Sequence, residues 1–304
     1  MTLLIVQALN GFQLGMLLFL IAAGLTLVFG VMNFVNLAHG VQYMLGAYLG
    51  VAFSRIAGGF WSALALASVT AGAFGLLLER LIFRHLYARS ELDQVLATFG
   101  VIITLNEGVR LLWGSAPLEL PMPDALSSSF QLMPGLRYPI YRVALAASGL
   151  VVAGALALVV NHTRAGMLIR AGASNQEMVS ALGVDIGRLF RLVFGVGAML
   201  AGFAGVLAAP LVSVEPGMGE NLLILAFVVI VIGGIGSIRG AFVAAVIVGL
   251  VDTLGRALIT DLAKALLSGP TSARVGPALA SMLIYLVMAL VLAVRPAGLF
   301  PART

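Results

Sequence analysis

The first 54 residues contain no Asp, Glu, Lys or Arg; the first formal charge is Arg55. A helix needs about 20 apolar residues to cross the hydrocarbon core of a bilayer, so an uncharged stretch of this length accommodates two crossings. The same texture runs through the remaining chain. Of 304 residues 61% are hydrophobic and only 10% charged, against roughly 25% charged in an ordinary soluble domain. The mean hydropathy is +1.11. A soluble core of this size cannot hide that much apolar surface, and the surplus must face lipid. The fold class that follows is all-α, a polytopic transmembrane helix bundle over residues 1–304.

Apolar runs place candidate spans near 9–30, 35–53, 60–80, 94–113, 140–160, 191–212, 222–235, 240–258 and 278–294, which predicts eight to nine crossings. The seventh is short and runs into "GGIGSIRG". The N-terminus lacks the basic region of a cleaved signal peptide and reads as the first anchor. The net charge of +5 comes almost wholly from arginine, with Lys264 the only lysine. In a soluble protein that balance would suggest nucleic acid. Here the arginines lie between apolar spans, where the positive-inside rule accounts for them. Placing Arg80, Arg84, Arg89, Arg164, Arg170, Arg188, Arg191, Arg239, Arg295 and Arg303 on the cytoplasmic side puts ten basic residues there against five acids, and seven of each opposite. The expected topology has the N-terminus outside, the C-terminus inside, an external loop at 114–139 with five prolines, and an internal loop at 161–190.

Polar side chains inside the first two spans need a reason. On a continuous helix Asn36, His39, Gly40, Tyr43, Gly46 and Gly50 share one face. Polar groups facing lipid are costly, so that face should point into the bundle or a wet cavity. Two uses remain open for Asn33, Asn36, His39, Gln42 and Tyr43: a polar seam that holds helices together, or the lining of a translocation route. Gly46 and Gly50 form a Gly-x-x-x-Gly pair suited to close helix approach. Gly233, Gly234, Gly236 and Gly240 permit either an unwound segment at membrane depth or a short hairpin with Arg239 at the headgroups. Glu107 is spaced to pair with Arg110. Glu215, Glu220 and Asn221 lie on the outer side, where they could help hold an extracytoplasmic protein.

Within the internal loop, Ser174 and Glu177 have capping-box spacing, and Gly183 is placed to end the helix in a left-handed conformation. The helix between them is about two turns long, with Met178 and Leu182 on one face and Val179 beside them. So short a helix must pack on something to persist. It either lies on its own bundle and membrane surface or docks into a groove on a cytoplasmic partner.

Several chemistries have no residues to carry them. The chain has no cysteine, no Gly-x-x-x-x-Gly-Lys-Ser/Thr phosphate loop, no His-Glu-x-x-His zinc motif and no Gly-x-Ser-x-Gly elbow. No cofactor is expected, and a membrane-embedded enzyme is disfavoured. Any energy for transport comes from a partner or an ion gradient.

Four separated blocks carry a resemblance: "GLTLVFGVMNFVNLAHGVQYMLGAYLG" (24–50), "RAGASNQEMVSALGVD" (170–185), "GAMLAGFAGVLAAP" (197–210) and "AFVVIVIGGIGSIRGAFVAAVIVGL" (226–250). Together they resemble the LivH-type permease subunits of branched-chain amino-acid ABC importers, in that family's order and across nearly the whole chain. The resemblance implies a bacterial inner-membrane permease that pairs with a LivM-type subunit as a heterodimer. It also implies two cytoplasmic ATP-binding subunits, a periplasmic substrate-binding protein and an amino-acid cargo. The loop residues Arg170, Ser174, Asn175, Glu177, Met178, Leu182 and Gly183 would then belong to the helix that meets an ATPase. The family's first block often has an acidic residue shortly after "AHG", where this chain has Val41 and Gln42. Similar permeases carry urea or short amides, which leaves the cargo open. An ion-coupled secondary transporter is a further alternative, although it would be expected to carry intramembrane carboxylates.

Overall fold

The computed structural model describes residues 2–266 and 270–301. In chain order the elements are α1 (Thr2–Met32), α2 (His39–Ile56), α3 (Phe60–Leu81), α4 (Glu91–Trp113), a hairpin of β1 (Ser129–Met133) and β2 (Leu136–Pro139), α5 (Ile140–His162), α6 (Arg164–Ser174), α7 (Gln176–Ala181), α8 (Ile186–Ala208), α9 (Met218–Gly233), α10 (Ile238–Leu266) and α11 (Pro270–Val294). Among the described residues, seven helical stretches are long and apolar enough to cross a membrane. The 18-residue α2 and the 16-residue α9 are additional, shorter bundle helices.

α1 is apolar on every side, and most of it is buried, as expected of a helix surrounded by others. It packs against α10, α8, α5 and α9. Glycines let the backbones touch: a Cβ on Gly15 would lie 2.7 Å from the Ala245 carbonyl oxygen, and one on Gly11 2.9 Å from that of Gly249. α2 lies among α3, α8 and α9, while α5 and α11 turn rows of Leu and Val outward to lipid.

The bundle has two distinct ends. At one, the 114–139 segment folds over as the β1–β2 hairpin, and Leu118 pairs with Val214 through two 2.9 Å backbone bonds. Asn10 Oδ1 there accepts from Tyr138 Oη at 3.2 Å and from an Arg142 guanidinium nitrogen at 2.6 Å. The opposite end gathers α6, α7, the 33–38 and 82–90 connections, the α9–α10 turn and residues 295–301. Leu299 and Phe300 donate backbone N–H groups to the Ile232 and Gly233 carbonyls at 2.8 and 3.0 Å, closing the end of α9.

Several span boundaries differ from the sequence expectation. The second helix begins at His39, not residue 35. The α9 helix covers 218–233 instead of 222–235, and α10 continues well beyond 258 to Leu266. Hydropathy senses only the apolar middle of a helix, whereas α10 continues past 258 through Asp261 and Lys264, whose charges meet at 3.9 Å across one turn.

Candidate functional site

Between α1 and α2 the chain leaves helical conformation. Asn33 adopts φ +50°, a left-handed geometry that Asn tolerates, and its N–H closes α1 on the Phe29 carbonyl at 2.9 Å. Residues 33–38 then run without helical bonds. Phe34 meets the rings of Phe83 and Tyr87 at 5.4 and 5.6 Å. The Val35 N–H donates to Gln94 Oε1 at 3.2 Å, and Gln94 returns its own amide hydrogens to the Leu86 and Arg89 carbonyls. The expected continuous helical face is therefore interrupted: Asn36 lies in the irregular segment, and only His39 onward is helical.

α2 starts deep in the bundle. His39 Nε2 donates to the Ile21 carbonyl at 3.1 Å, since a carbonyl can only accept. A Cβ on Gly24 would touch both that ring, at 2.9 Å, and the carbonyl of Gly197, at 2.7 Å. Gly197 lies halfway along α8, which sets the depth of the α2 start. Gly40 in the first turn of α2 lies against Gly219 in the first turn of α9, where an added Cβ would come within 2.5 Å of the Gly219 oxygen. Neither helix has a side-chain cap at this end. Further along, Gly46 lies on the backbone of Gly202, Gly205 on the Tyr43 carbonyl, and Gly50 is 3.2 Å, as a Cβ, from the Val206 methyls. α2 is thus laid on α8 through glycine.

The polar groups around this junction are buried yet unpaired. Asn36 has no hydrogen-bond partner at either side-chain N or O, and Tyr43 Oη, Tyr48 Oη and Thr26 Oγ1 are also unpartnered; the Gln42 amide lies beside the His39 ring without a well-formed bond to it. Each of these residues is at most 1% exposed. A buried polar group left without a partner costs about 1–3 kcal/mol. Asn36, Gln42 and Tyr43 carry such groups just before and along the first turns of α2, whereas Tyr48 lies farther along, against Trp113. Asn33 stands apart, exposed at the bundle end.

The 161–190 loop contains two helices where one was expected. Thr163 caps α6, accepting from the Gly166 N–H at 3.1 Å, and Ser174 closes that helix instead of starting the next. The Ser174–Glu177 capping box does not form. Asn175 takes the cap of α7, its Oδ1 accepting from Met178 N–H at 2.8 Å; Asn is as good a cap as Ser. Gly183, at φ +86°, ends α7 with the paired bonds of a Schellman motif, Val184 N–H to Val179 and Gly183 N–H to Ser180. Val179 is buried, whereas Met178 and Leu182 are 60% and 77% exposed. Glu177 and Arg170 are exposed as well. The buried side of α7 is fixed to α1: Gln176 Nε2 donates to the Val31 carbonyl at 2.8 Å.

The glycine-rich stretch is a tight turn at the same end as α7. Gly234 and Gly236 have φ of +101° and +80°, while Gly233 and Gly240 remain helical and touch each other where α9 and α10 close up. Only residues 234–237 are unwound, and they abut the last turn of α1 at Gly30.

Some polar contacts escaped the sequence reading. Glu79 is 2% exposed, with one oxygen accepting from Tyr87 Oη at 3.0 Å. Burial, and then the Glu79 carboxylate, push the Tyr87 hydroxyl pKa upward, so Tyr87 stays a donor. In sequence Glu79 looks like the edge of a basic loop, and nothing there signals its burial. At the hairpin end, Glu107 pairs with Arg110 at 2.8 Å, as their spacing in sequence predicts, whereas the contacts of Asn106 were not foreseen. Asn106 bridges α4 to α9 through Glu220 at 2.9 Å and the Gly217 N–H at 3.2 Å.

Comparison with known proteins agrees with this architecture. A family model described as the permease component of branched-chain amino acid transport systems matches residues 7–292. The chain is 30% identical over 278 residues to the high-affinity branched-chain amino acid transport system permease protein LivH of Escherichia coli K12, covering 84% of this chain and 86% of that protein. It is also 30% identical over 267 residues to the corresponding permease protein BraD of Pseudomonas aeruginosa, covering 84% and 87%. Identity to a probable LivH of Methanocaldococcus jannaschii is 26% over 249 residues, covering 78% and 76%. No solved structure matches significantly. With the match spanning α1 to α11, the chain belongs to the family of branched-chain amino acid transport permease components.

Proposed function

We propose that this permease forms half of the translocation pathway of an ATP-driven importer for branched-chain amino acids. Its partners would be a LivM-type subunit, two cytoplasmic ATPases and a periplasmic binding protein, in a bacterial inner membrane. The N-terminus and the hairpin end would face outward, and α7 would face the cytoplasm. The observation that carries this reading is α7 itself. It is a capped helix packed on α6 and α8, with Val179 buried and Gln176 bonded to α1, and with Met178 and Leu182 turned away from the bundle at its arginine-rich end. That is how an amphipathic helix presents anchors to a groove on a partner.

Transport would proceed by alternating access. Closure of the ATPases moves α7 and rocks the bundle. The mid-depth junction of α2 and α9 then parts, so that Asn36, His39, Gln42 and Tyr43 meet water or the zwitterionic cargo. The unpartnered side chains of Asn36 and Tyr43 support a pathway role over a purely adhesive one, because helix-joining polar groups would be bonded to their neighbours, as His39 is to the Ile21 carbonyl of α1. Proteoliposomes holding the assembled complex test the proposal through uptake of radiolabelled leucine delivered by the binding protein. Uptake that needs internal ATP and survives ionophores is expected. Uptake that collapses with the ion gradient and ignores ATP would instead support an ion-coupled carrier.

A further inference from the structure

Gln176 is the one residue of the α6–α7 loop whose side chain bonds to α1 among the described residues. It is the first residue of α7, directly after the Asn175 cap, and shares the inward side with Val179, three residues on. Its amide donates to the carbonyl of Val31, 145 residues earlier, at 2.8 Å. Val31 belongs to the last turn of α1, whose carbonyls have no partner within the helix. The neighbouring α6 closes on the same place: a Cβ on Gly172 would lie 3.7 Å from a Val31 methyl.

Val31 stands two residues before the left-handed Asn33, where α1 ends and the irregular segment begins. That segment leads through Asn36 to His39 and Gly40, the contact with α9 and the unpartnered polar groups. It is anchored laterally only at a few points, notably Phe34 against Phe83 and Tyr87 and the Val35 N–H on Gln94. A displacement of α7 thus has a short physical route into the seam: the Gln176 amide, the end of α1, then six non-helical residues.

We propose that Gln176 is the positioning residue that transmits movement of α7 to the α1–α2 break, so that the docking helix drives the polar seam through this single hydrogen bond. The proposal rests on the importer reading above. Gln176 touches neither cargo nor nucleotide; it acts by holding the end of α1 to α7.

The experiment uses the complete transporter in proteoliposomes, reading ATP hydrolysis and leucine uptake in the same preparation. Gln176→Leu keeps the size and removes the donor. Gln176→Lys keeps a donor on a flexible stem. Gln176→Glu, ionised, presents only acceptors to the Val31 carbonyl. With one bond to a carbonyl lost, Leu and Glu should raise the ATP hydrolysed per leucine taken up by about tenfold. Hydrolysis itself stays within about twofold of the parent, and the ATPases still copurify. Lys should retain most of the coupling. A purely structural role would lower hydrolysis and uptake together, with less ATPase recovered, and that result overturns the proposal. So does an unchanged ratio in Gln176→Leu, or a Lys variant as uncoupled as Glu. If Gln176→Leu does not assemble, the Lys and Glu pair, both charged and both long, still separates donor from acceptor. Absence of ATP-dependent uptake in the parent complex would instead defeat the importer reading.

Discussion

Asn36 and Gln42 are enclosed amides without a well-formed hydrogen bond at any side-chain polar atom, whereas buried polar groups in proteins are generally hydrogen-bonded. Replacing either by alanine removes an uncompensated buried group. The pathway reading therefore predicts an unchanged or slightly raised melting temperature in detergent, together with uptake reduced about tenfold for loss of one bond to the cargo. Melting points that fall in step with uptake would restore the adhesive role. Gly205 offers a packing test. A methyl there would overlap the Tyr43 carbonyl of α2, whereas one on Gly154, in α5, would meet nothing within 4 Å. Gly205→Ala should cost about 1–3 kcal/mol by overpacking, seen as a lower melting temperature, and Gly154→Ala should be neutral. A stable Gly205→Ala would contradict the backbone contact. The polar residues of 33–43 were legible in sequence because such groups are rare inside an apolar run. Glu79 and Gln176 were not, because their importance comes from partners eight and 145 positions away.

Among the elements, the long helices were readable because hydropathy sums over 20 or more residues and tolerates local error. The break at 33–38 was hidden, since "NFVNLA" has neither proline nor glycine and continues the apolar pattern. Its conformation is imposed from outside by Phe83, Tyr87 and Gln94. The start of α7 was displaced by one residue because Ser174 and Asn175 are both good caps, and only the structure chooses between them. That choice has a measurable consequence. Asn175→Ala should weaken α7 by about 1 kcal/mol and reduce ATPase recovery on purification, while Ser174→Ala, at the end of α6, should leave recovery unchanged. The reverse ranking would place the cap on Ser174 after all.

Across the whole molecule, the two ends differ in kind. One is closed over by the β1–β2 hairpin and by bonds from Tyr138 and Arg142 to Asn10. The other brings α7, the glycine turn at 234–237 and the C-terminal segment around the end of α1. Between them the glycine contacts of α2 with α8 and α9 enclose the unpartnered polar groups. A bundle built this way has its outward apolar helices in lipid, its polar seam at mid-depth and one short helix free to be moved from the arginine-rich end. The central claim is that this helix is where ATPases attach, and purification of the tagged chain in mild detergent with identification of its companions tests it most directly. The parent chain should bring down two ATPases and a second permease. Met178→Asp with Leu182→Asp, both on the exposed side of α7, should lose the ATPases and keep the second permease. Recovery of no ATPase with the parent, or undiminished recovery with the double variant, would contradict it.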